Sequence, residues 1–359
     1  MSLEQLFDAE QFTLPQDVKE SLLLDELTAL TDHHIRRSPA YARIAAHTAP
    51  GPYLGLPDLP YLPVSLFKSH TLRSVDESEV FKVMTSSGTT GQAVSRIYLD
   101  RETAELQSRA LASIMTRVLG GTRLPMLIVD TPNVVKNRAM FSARGAGVLG
   151  MLPFGRKHTY ILDDDMDLDE PALRAFAEQW SGQPILIFGF TFMVWKYFLL
   201  ALRQRSIEID LSNAVLIHSG GWKKLADEAV GNDEFRAAFV ETTGMTRVHN
   251  FYGMVEQTGS VFVEGDDGFL YPPNFADVII RDPVTWEPAP NGMPGVVEVL
   301  SVLTRSYPGH VLLTEDLGVV EGLGTPASGW SGKQLRILGR VPRSELRGCS
   351  DTHAYDRAG

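Results

Sequence analysis

A run of seven small residues, each a glycine or a hydroxyl-bearing residue, follows a short apolar stretch that is predicted to be a strand. The run consists of Thr85, Ser86, Ser87, Gly88, Thr89, Thr90 and Gly91. Glycines let a backbone approach a ligand closely, and backbone N–H groups with hydroxyls form a concave anion site. The run therefore predicts a polyphosphate-binding loop. It is not a Walker A loop, because no lysine follows Gly91, and Gly88 and Gly91 supply only part of a dinucleotide fingerprint.

Three later motifs carry groups that suit the rest of a nucleotide. Tyr252-Gly253 is followed by Glu256: an aromatic face can stack on a base, and a carboxylate oxygen is a ligand that Mg²⁺ prefers. The segment Thr314–Gly318 predicts an acidic turn in which Asp316 can accept hydrogen bonds from both ribose hydroxyls. Leu338-Gly339-Arg340 predicts a strand-to-turn junction that ends in a cation.

Alternating apolar and amphipathic segments position these motifs. Strands are predicted at 80–84, 95–99, 124–129, 185–190, 214–218 and 247–251, and helices at 101–119, 170–180, 191–205 and 223–230. Buried strands that alternate with helices indicate an α/β fold with mostly parallel sheets flanked by helices. Ligands of such sheets sit beyond the carboxyl ends of the strands, where glycine-containing turns follow Met84, His218 and Phe251.

The chain is predicted to divide into four segments. Residues 1–78 form a helical region, 79–269 the α/β nucleotide- and acyl-binding body, 270–340 a smaller β-rich region, and 341–359 a short tail. The texture changes near residue 270, where Pro and Gly become frequent and Val, Ile and Leu alternate with polar residues.

Composition excludes several classes of function. The 359 residues carry 33 basic and 44 acidic side chains, a net charge of −11, which argues against nucleic-acid or anionic-membrane binding. The apolar segment 184–202 is interrupted by Gly189 and Lys196, so it predicts a buried strand and helix rather than a membrane span. No signal pattern precedes the body, and the single cysteine, Cys349, allows no disulfide framework. A cytoplasmic protein is expected.

The order of these motifs, from about residue 80 to 340, resembles the adenylate-forming superfamily of acyl-CoA synthetases and adenylation domains. The likeness is greatest to the short acyl-protein synthetase branch and its phenylacetate–CoA-ligase-like relatives. Leu66-Phe67-Lys68 and the segment His218–Lys224 look like that branch in particular. The resemblance implies ATP-dependent activation of a carboxylic acid as an acyl-adenylate, with transfer of the acyl group to a thiol.

The resemblance also implies a role for each motif. The ATP phosphates would lie on the residues from Thr85 to Gly91, and Gly220 and Gly221 would line the adenine and acyl pocket. Tyr252, with Gly253 after it, would pack on adenine, and Glu256 would bind Mg²⁺. Asp316 would bind the ribose, and Arg340 would sit at the hinge near it.

The chain departs from the larger family after Arg340. Only 19 residues follow, none of them lysine, so the lid domain that carries a catalytic lysine is expected to be largely missing. Three alternatives stay open: another cation serves, with Arg96, Lys223 and Lys224 as candidates, or the adenylation step is slower, or a partner completes the site. By resemblance to the acyl-protein synthetases, Cys349 would accept the acyl group as a thioester, and the nearby Arg347 would favour its thiolate.

The acid and the acceptor stay open. A long-chain fatty acid fits, and so does an aromatic acid such as a phenazine carboxylate of an antibiotic pathway. The candidate for the acyl pocket is Phe188-Gly189-Phe190. A second carboxylate on the substrate could be held by Arg156, Lys157 or His158. Expected partners are the acid, an acyl reductase or another acyl-acceptor protein, and a second copy in a homodimer. The alternatives are a ligase that uses free CoA and a non-catalytic nucleotide-binding scaffold.

Overall fold

A computed structural model describes residues 2–47, 51–86, 94–135, 143–222, 229–324 and 329–341. The helices are α1 (Ser2–Asp8), α2 (Gln16–Arg37), α3 (Pro39–Ala45), α4 (Leu66–Ser69), α5 (Arg101–Leu119), α6 (Ala143–Met151), α7 (Glu170–Gln179), α8 (Thr191–Met193), α9 (Leu200–Gln204) and α10 (Asn232–Thr243). The strands are β1 (Leu62–Pro63), β2 (Lys82–Thr85), β3 (Arg96–Leu99), β4 (Leu124–Ile128), β5 (Gly155–Tyr160), β6 (Ile185–Phe190), β7 (Ala214–Ser219), β8 (Arg247–Tyr252), β9 (Phe262–Glu264), β10 (Leu270–Tyr271), β11 (Ala276–Arg281), β12 (Gly295–Ser301), β13 (Val311–Gly324) and β14 (Gly332–Arg340). Within the described residues no helix is long and apolar enough to cross a membrane.

The chain forms two compact units, each of which joins segments that are distant in sequence. Of the described residues, the first unit comprises those within 2–114, 253–265 and 269–341, and the second comprises those within 115–252 and 266–268. The sequence instead predicts consecutive segments that end at residues 78, 269 and 340. That division stays a prediction.

A parallel sheet organises the second unit, as the sequence predicts. Its strand order is β5-β4-β6-β7-β8, and every neighbouring pair is parallel. All residues of β6 and β7 are buried, because helices cover a parallel sheet. The core joins these strands to apolar side chains of α7, the helical segment after β6, and α10, including Phe176, Phe198 and Phe235. This sheet holds the carboxyl ends of its strands in one row.

The helical segment after β6 differs from the single helix that the sequence predicts over 191–205. The α-helical turns α8 and α9 are separated by a π-helix at Val194–Leu199, a feature that often marks functional sites. The helix predicted at 223–230 falls mostly outside the described residues. Helix α10, which was not predicted, ends at Gly244, whose φ of 73° provides the left-handed cap that favours glycine.

An antiparallel sheet organises the first unit. Its strand order is β11-β12-β13-β14-β10-β9, and β1 pairs in parallel with β13. Helix α2 buries Leu23, Leu27 and Leu30, whereas Val18 is exposed. Lys19 of the same helix is buried, and its Nζ lies 3.7 Å from Asp277 of β11.

The acidic turn predicted at Thr314–Gly318 is wrong, because this segment lies inside the 14-residue strand β13. Strand β13 pairs with β12 on one side and with β14 on the other. Asp316, Leu317 and Gly318 pair with β14, and Leu317 and Gly318 also pair with β12. The ladder to β12 shifts register between Leu313 and Leu317, so the acidic side chains lie in an irregular stretch of a strand that continues past them.

Candidate functional site

The strands β2 and β3 form a hairpin that holds both ends of the predicted phosphate loop. Thr85, which is exposed, pairs with Arg96 at the end of the hairpin next to the loop. Beyond it, Ser86 N donates to Ser95 O at 3.2 Å, and Ser95 N donates to Ser86 Oγ at 2.9 Å. These bonds close the base of the loop, while the predicted phosphate ligands Ser87, Gly88, Thr89, Thr90 and Gly91 lie outside the described residues.

Glu256 lies in a single 3₁₀ turn, Val255–Gln257, and is only 2% exposed. The hydroxyl of Thr258 lies 3.9 Å from Met84 Sδ, one residue before Thr85. Gly259 has a φ of 90°, and a Cβ there would meet Gln107 O at 2.7 Å, so the turn passes α5 at a distance that only glycine allows. The structure thus brings the turn of Glu256 beside the strand that enters the phosphate loop.

Asp316 and Arg340 face each other across β13 and β14. Arg340 Nη2 donates to Glu315 Oε2 at 2.9 Å, and its Nε lies 3.6 Å from Asp316 Oδ1. The Asp316 side chain is 2% exposed and that of Arg340 is 11% exposed. The strand register therefore joins two motifs that are 24 positions apart in the chain.

The second unit presents the predicted glycine and aromatic groups side by side. Ser219 of β7 pairs with Phe251 of β8, so Gly220 and Tyr252 follow at the same edge of the sheet. Gly220 has a φ of 83°, which turns the chain at the strand end. Gly221 is buried, and Tyr252 is 2% exposed.

The same edge carries two polar pairs that were not predicted. Thr191 Oγ1 lies 3.0 Å from His218 Nδ1, and the His218 ring stacks on Phe235 with centroids 4.6 Å apart. Arg144 Nε lies 2.9 Å from Asp130 Oδ2, and burial raises the pKa of the Asp130 carboxyl against the opposing charge of Arg144. Thr191, His218 and Asp130 lie at or just after the carboxyl ends of parallel strands. That position is the sequence signal that could have identified them.

The proposed apolar pocket segment is tightly enclosed. Phe188 and Phe190 are 1% and 5% exposed, with ring centroids 6.3 Å apart. A Cβ on Gly147 would lie 2.8 Å from the Phe190 ring, and one on Gly189 would lie 2.6 Å from Val194. Gly147 therefore permits a close approach of α6 to the Phe190 ring, and Gly189 permits a close approach of β6 to the side chain of Val194.

Three predicted cations of strand β5 do not join these groups. The Arg156 guanidinium stacks on Trp180 at 4.8 Å, and His158 Nε2 bonds to Leu152 O at 3.1 Å, both at the edge strand β5. Lys157 lies in the same strand. The remaining predicted groups, Lys223, Lys224 and Cys349, fall outside the described residues.

The fold is that of the adenylate-forming ligases. Two solved structures of a 2-hydroxyisobutyryl-CoA ligase, one with 2-HIB-AMP and one with 2-HIB-AMP and CoA, have TM-scores of 0.66 and 0.67. Both are 18% identical in sequence; they cover 93% of this chain and 70% and 71% of their own chains. At this identity the likeness concerns the fold alone.

The chain belongs to the LuxE family of acyl-protein synthetases, whose family model matches residues 2–356. A long-chain-fatty-acid–luciferin-component ligase of Vibrio harveyi is 24% identical over 310 residues, which cover 82% of this chain and 77% of the relative. The corresponding ligase of Aliivibrio fischeri is 22% identical over 305 residues, with the same coverage. The chain is therefore an acid–thiol ligase, and the predicted superfamily and branch are confirmed.

Proposed function

We propose that this chain converts a carboxylic acid and ATP into an acyl-adenylate and pyrophosphate, and then passes the acyl group to Cys349. The observation that carries the proposal is the turn of Glu256 beside the phosphate-loop hairpin, with Thr258 Oγ1 at 3.9 Å from Met84 Sδ. A carboxylate next to a loop of hydroxyls and glycines suits a polyphosphate and its counter-ion.

Three groups would hold the rest of the nucleotide. Asp316 would accept both ribose hydroxyls, with Arg340 beside it at 3.6 Å. Tyr252 would pack on adenine, and Gly220 and Gly221 would line the same pocket. The burial of Asp316 and Tyr252, each 2% exposed, supports these roles, because hydrogen bonds and stacking contribute more where water is excluded.

The residues fit a magnesium ion. Mg²⁺ in nucleotide sites takes one or two carboxylates together with phosphate oxygens, and Glu256 provides a carboxylate in a turn that contacts the strand leading into the predicted phosphate loop. When bound, the ion neutralises charge that develops on the phosphate oxygens. Glu256 would hold it, and Tyr252-Gly253 would lead the chain into that turn.

The chemistry proceeds in two displacements. A carboxylate oxygen of the acid attacks the α-phosphorus of ATP, the bond from that phosphorus to the bridging oxygen of the β-phosphate breaks, and pyrophosphate leaves. The thiolate of Cys349 then attacks the acyl carbon, the bond from that carbon to the AMP oxygen breaks, and AMP leaves. The predicted phosphate loop would contribute hydrogen-bond donors to the developing negative charge, and positioning would supply much of the remaining acceleration.

A long-chain fatty acid is the proposed acid, because both curated relatives carry that substrate in their names. An acyl reductase is the proposed consumer of the thioester. Free CoA is the second candidate acceptor, which the CoA-bound ligase of the same fold favours.

Intact-mass spectrometry tests the proposal directly. The full chain is incubated with Mg-ATP and, separately, with long-chain fatty acids and with aromatic acids including a phenazine carboxylate. The expected result is a covalent acyl adduct with a long-chain acid, which peptide mapping assigns to Cys349. The matched variant Cys349→Ser should lose the adduct and retain acid-dependent ATP–pyrophosphate exchange.

The other outcomes identify which step is wrong. Exchange without an adduct, together with acyl-CoA formation when CoA is added, would replace Cys349 by free CoA as acceptor. An adduct only with aromatic acids would replace the substrate class. Absence of exchange with every acid would refute the adenylation step itself and favour a non-catalytic scaffold.

A further inference from the structure

The segment Leu303–Gly309 contains a buried tyrosine that contacts the turn of Glu256. Tyr307 has no exposed surface, and its Oη donates to the backbone oxygen of Glu256 at 2.9 Å. Gln107 Nε2 of α5 donates to the same Oη at 3.3 Å. Because the hydroxyl accepts from one side and donates to the other, its proton is directed at Glu256.

The surroundings of Tyr307 leave it little freedom. The Phe67 ring meets it edge-on with centroids 6.0 Å apart, which gives the Leu66-Phe67-Lys68 motif a place in the fold. Gln257, next to Glu256, donates through Nε2 to Gly309 O at 2.8 Å and to Val299 O at 3.1 Å. A Cβ on Gly309 would lie 2.9 Å from Glu256 O, so the two segments touch at their backbones.

The residue before Tyr307 contacts the phosphate-loop hairpin. Ser306 Oγ donates to Tyr98 O at 2.9 Å, and Ser306 N donates to Thr103 Oγ1 at 3.1 Å. Tyr98 lies in β3 and pairs with Val83 of β2, the strand that leads into the loop. Ser306 therefore bonds to the phosphate-loop hairpin, and Tyr307 bonds to the turn of Glu256. A polyphosphate with its bound metal needs the hairpin and this turn in a fixed relative position.

We propose that Tyr307 is a positioning residue for Glu256: its hydroxyl holds the Glu256 backbone in register with the phosphate-loop hairpin and thereby sets the affinity of the nucleotide complex for Mg²⁺. The proposal rests on the role given to Glu256 under the proposed function. Ser306 supplies the other half of the register through Tyr98.

The test compares Tyr307→Phe with Tyr271→Phe in the full chain. Tyr271 is a matched control, because it is also fully buried and its Oη accepts from Gln334 Nε2 at 3.0 Å, in strand β10. Binding of α,β-methylene-ATP is measured by calorimetry, first with EDTA and then over a Mg²⁺ titration. Urea unfolding of both variants reports stability.

In Tyr307→Phe we expect the Mg²⁺ midpoint to rise about fivefold, the equivalent of one hydrogen bond, with nucleotide affinity in EDTA unchanged. Tyr271→Phe should lose comparable stability and keep the wild-type Mg²⁺ midpoint. Where Tyr307→Phe does not fold, Gln107→Met, which removes the donor to the Tyr307 hydroxyl, should shift the midpoint in the same direction by a smaller factor.

A Mg²⁺ midpoint that is the same in Tyr307→Phe and Tyr271→Phe would overturn the proposal, since the hydroxyl would then serve stability alone. A wild-type midpoint in Glu256→Gln would overturn it as well, because Glu256 would not be the ligand. Both outcomes leave acid-dependent pyrophosphate exchange by the wild-type chain in place. Loss of that exchange is the separate failure of the proposed function.

Discussion

Replacement of Asp316 by Asn should weaken ATP binding strongly without changing the shape of the side chain. The carboxylate is 2% exposed and is proposed to accept both ribose hydroxyls. Hydrogen bonds to a charged group contribute about 1.5–3 kcal/mol each, against about 1 kcal/mol for a neutral one. The amide retains one acceptor, so one bond is lost and the other becomes neutral. The net loss, two charged bonds less one neutral bond, is about 2–5 kcal/mol, or roughly 30- to 4,000-fold in affinity.

The assay is ATP–pyrophosphate exchange with saturating acid, from which the KM for ATP and the maximal rate are obtained for each variant. Glu315→Gln is the matched control, because Glu315 binds the same arginine, through Arg340 Nη2 at 2.9 Å, and has no proposed ribose contact. This pair is partly exposed, so its loss should change the KM by no more than about fivefold. Urea unfolding checks that both variants are folded.

Two results would refute this reasoning. A KM of Asp316→Asn within fivefold of the wild-type value would mean that the carboxylate does not hold the ribose. Equal increases in Asp316→Asn and Glu315→Gln would mean that the effect acts through Arg340, the partner that the two carboxylates share.

Two further predictions concern the stability of the first unit. Burial depresses the pKa of His310 to about 3 and that of His34 below its usual range, and the charge of His33 adds repulsion to both. The unfolded chain therefore binds more protons than the folded chain. The free energy of unfolding decreases as the pH falls from about 6.5 towards 3. When the pH is lowered from 7.5 to 5, the free energy of unfolding measured in urea should decrease by about 2 kcal/mol less in His310→Gln than in the wild-type chain. Equal decreases in the two proteins would contradict this prediction. In the wild-type chain the buried guanidinium of Arg281 bonds to Glu298 at 2.8 and 3.0 Å. Glu298→Ala removes this carboxylate and should lower the free energy of unfolding by about 3–5 kcal/mol. A cost below 1 kcal/mol in urea titrations would contradict it, and Glu298→Leu combined with Arg281→Met should recover most of the loss.

Elements with strong local signals were predicted well. The strand Ile185–Phe190 and the helix Arg101–Leu119 have the bounds that their apolar patterns indicate. A continuous apolar run between turn residues specifies a covered parallel strand, because no other short element buries both of its faces. The π-helical segment Val194–Leu199 has no such signal, since its hydrogen-bond pattern depends on packing against the rest of the second unit.

The acidic segment Thr314–Gly318 illustrates the opposite case. Its Thr, Glu, Asp and Gly residues are common in turns, yet the strand continues through them, because β14 pairs with the chain from Asp316 onward and β12 pairs with it on both sides of an irregularity at residues 314–316. The pairing partners lie elsewhere in the chain, so local composition could not reveal them.

The sequence by itself determined which groups are available: a loop of hydroxyls and glycines, the carboxylates of Glu256 and Asp316, and the cation of Arg340. These follow from residue chemistry and from motif order. Only the tertiary structure decided that Arg340 lies opposite Asp316 and that Tyr307 bonds to the turn of Glu256. Strand register and the packing of buried side chains depend on contacts between residues tens of positions apart, and these contacts exist only once the sheet has formed.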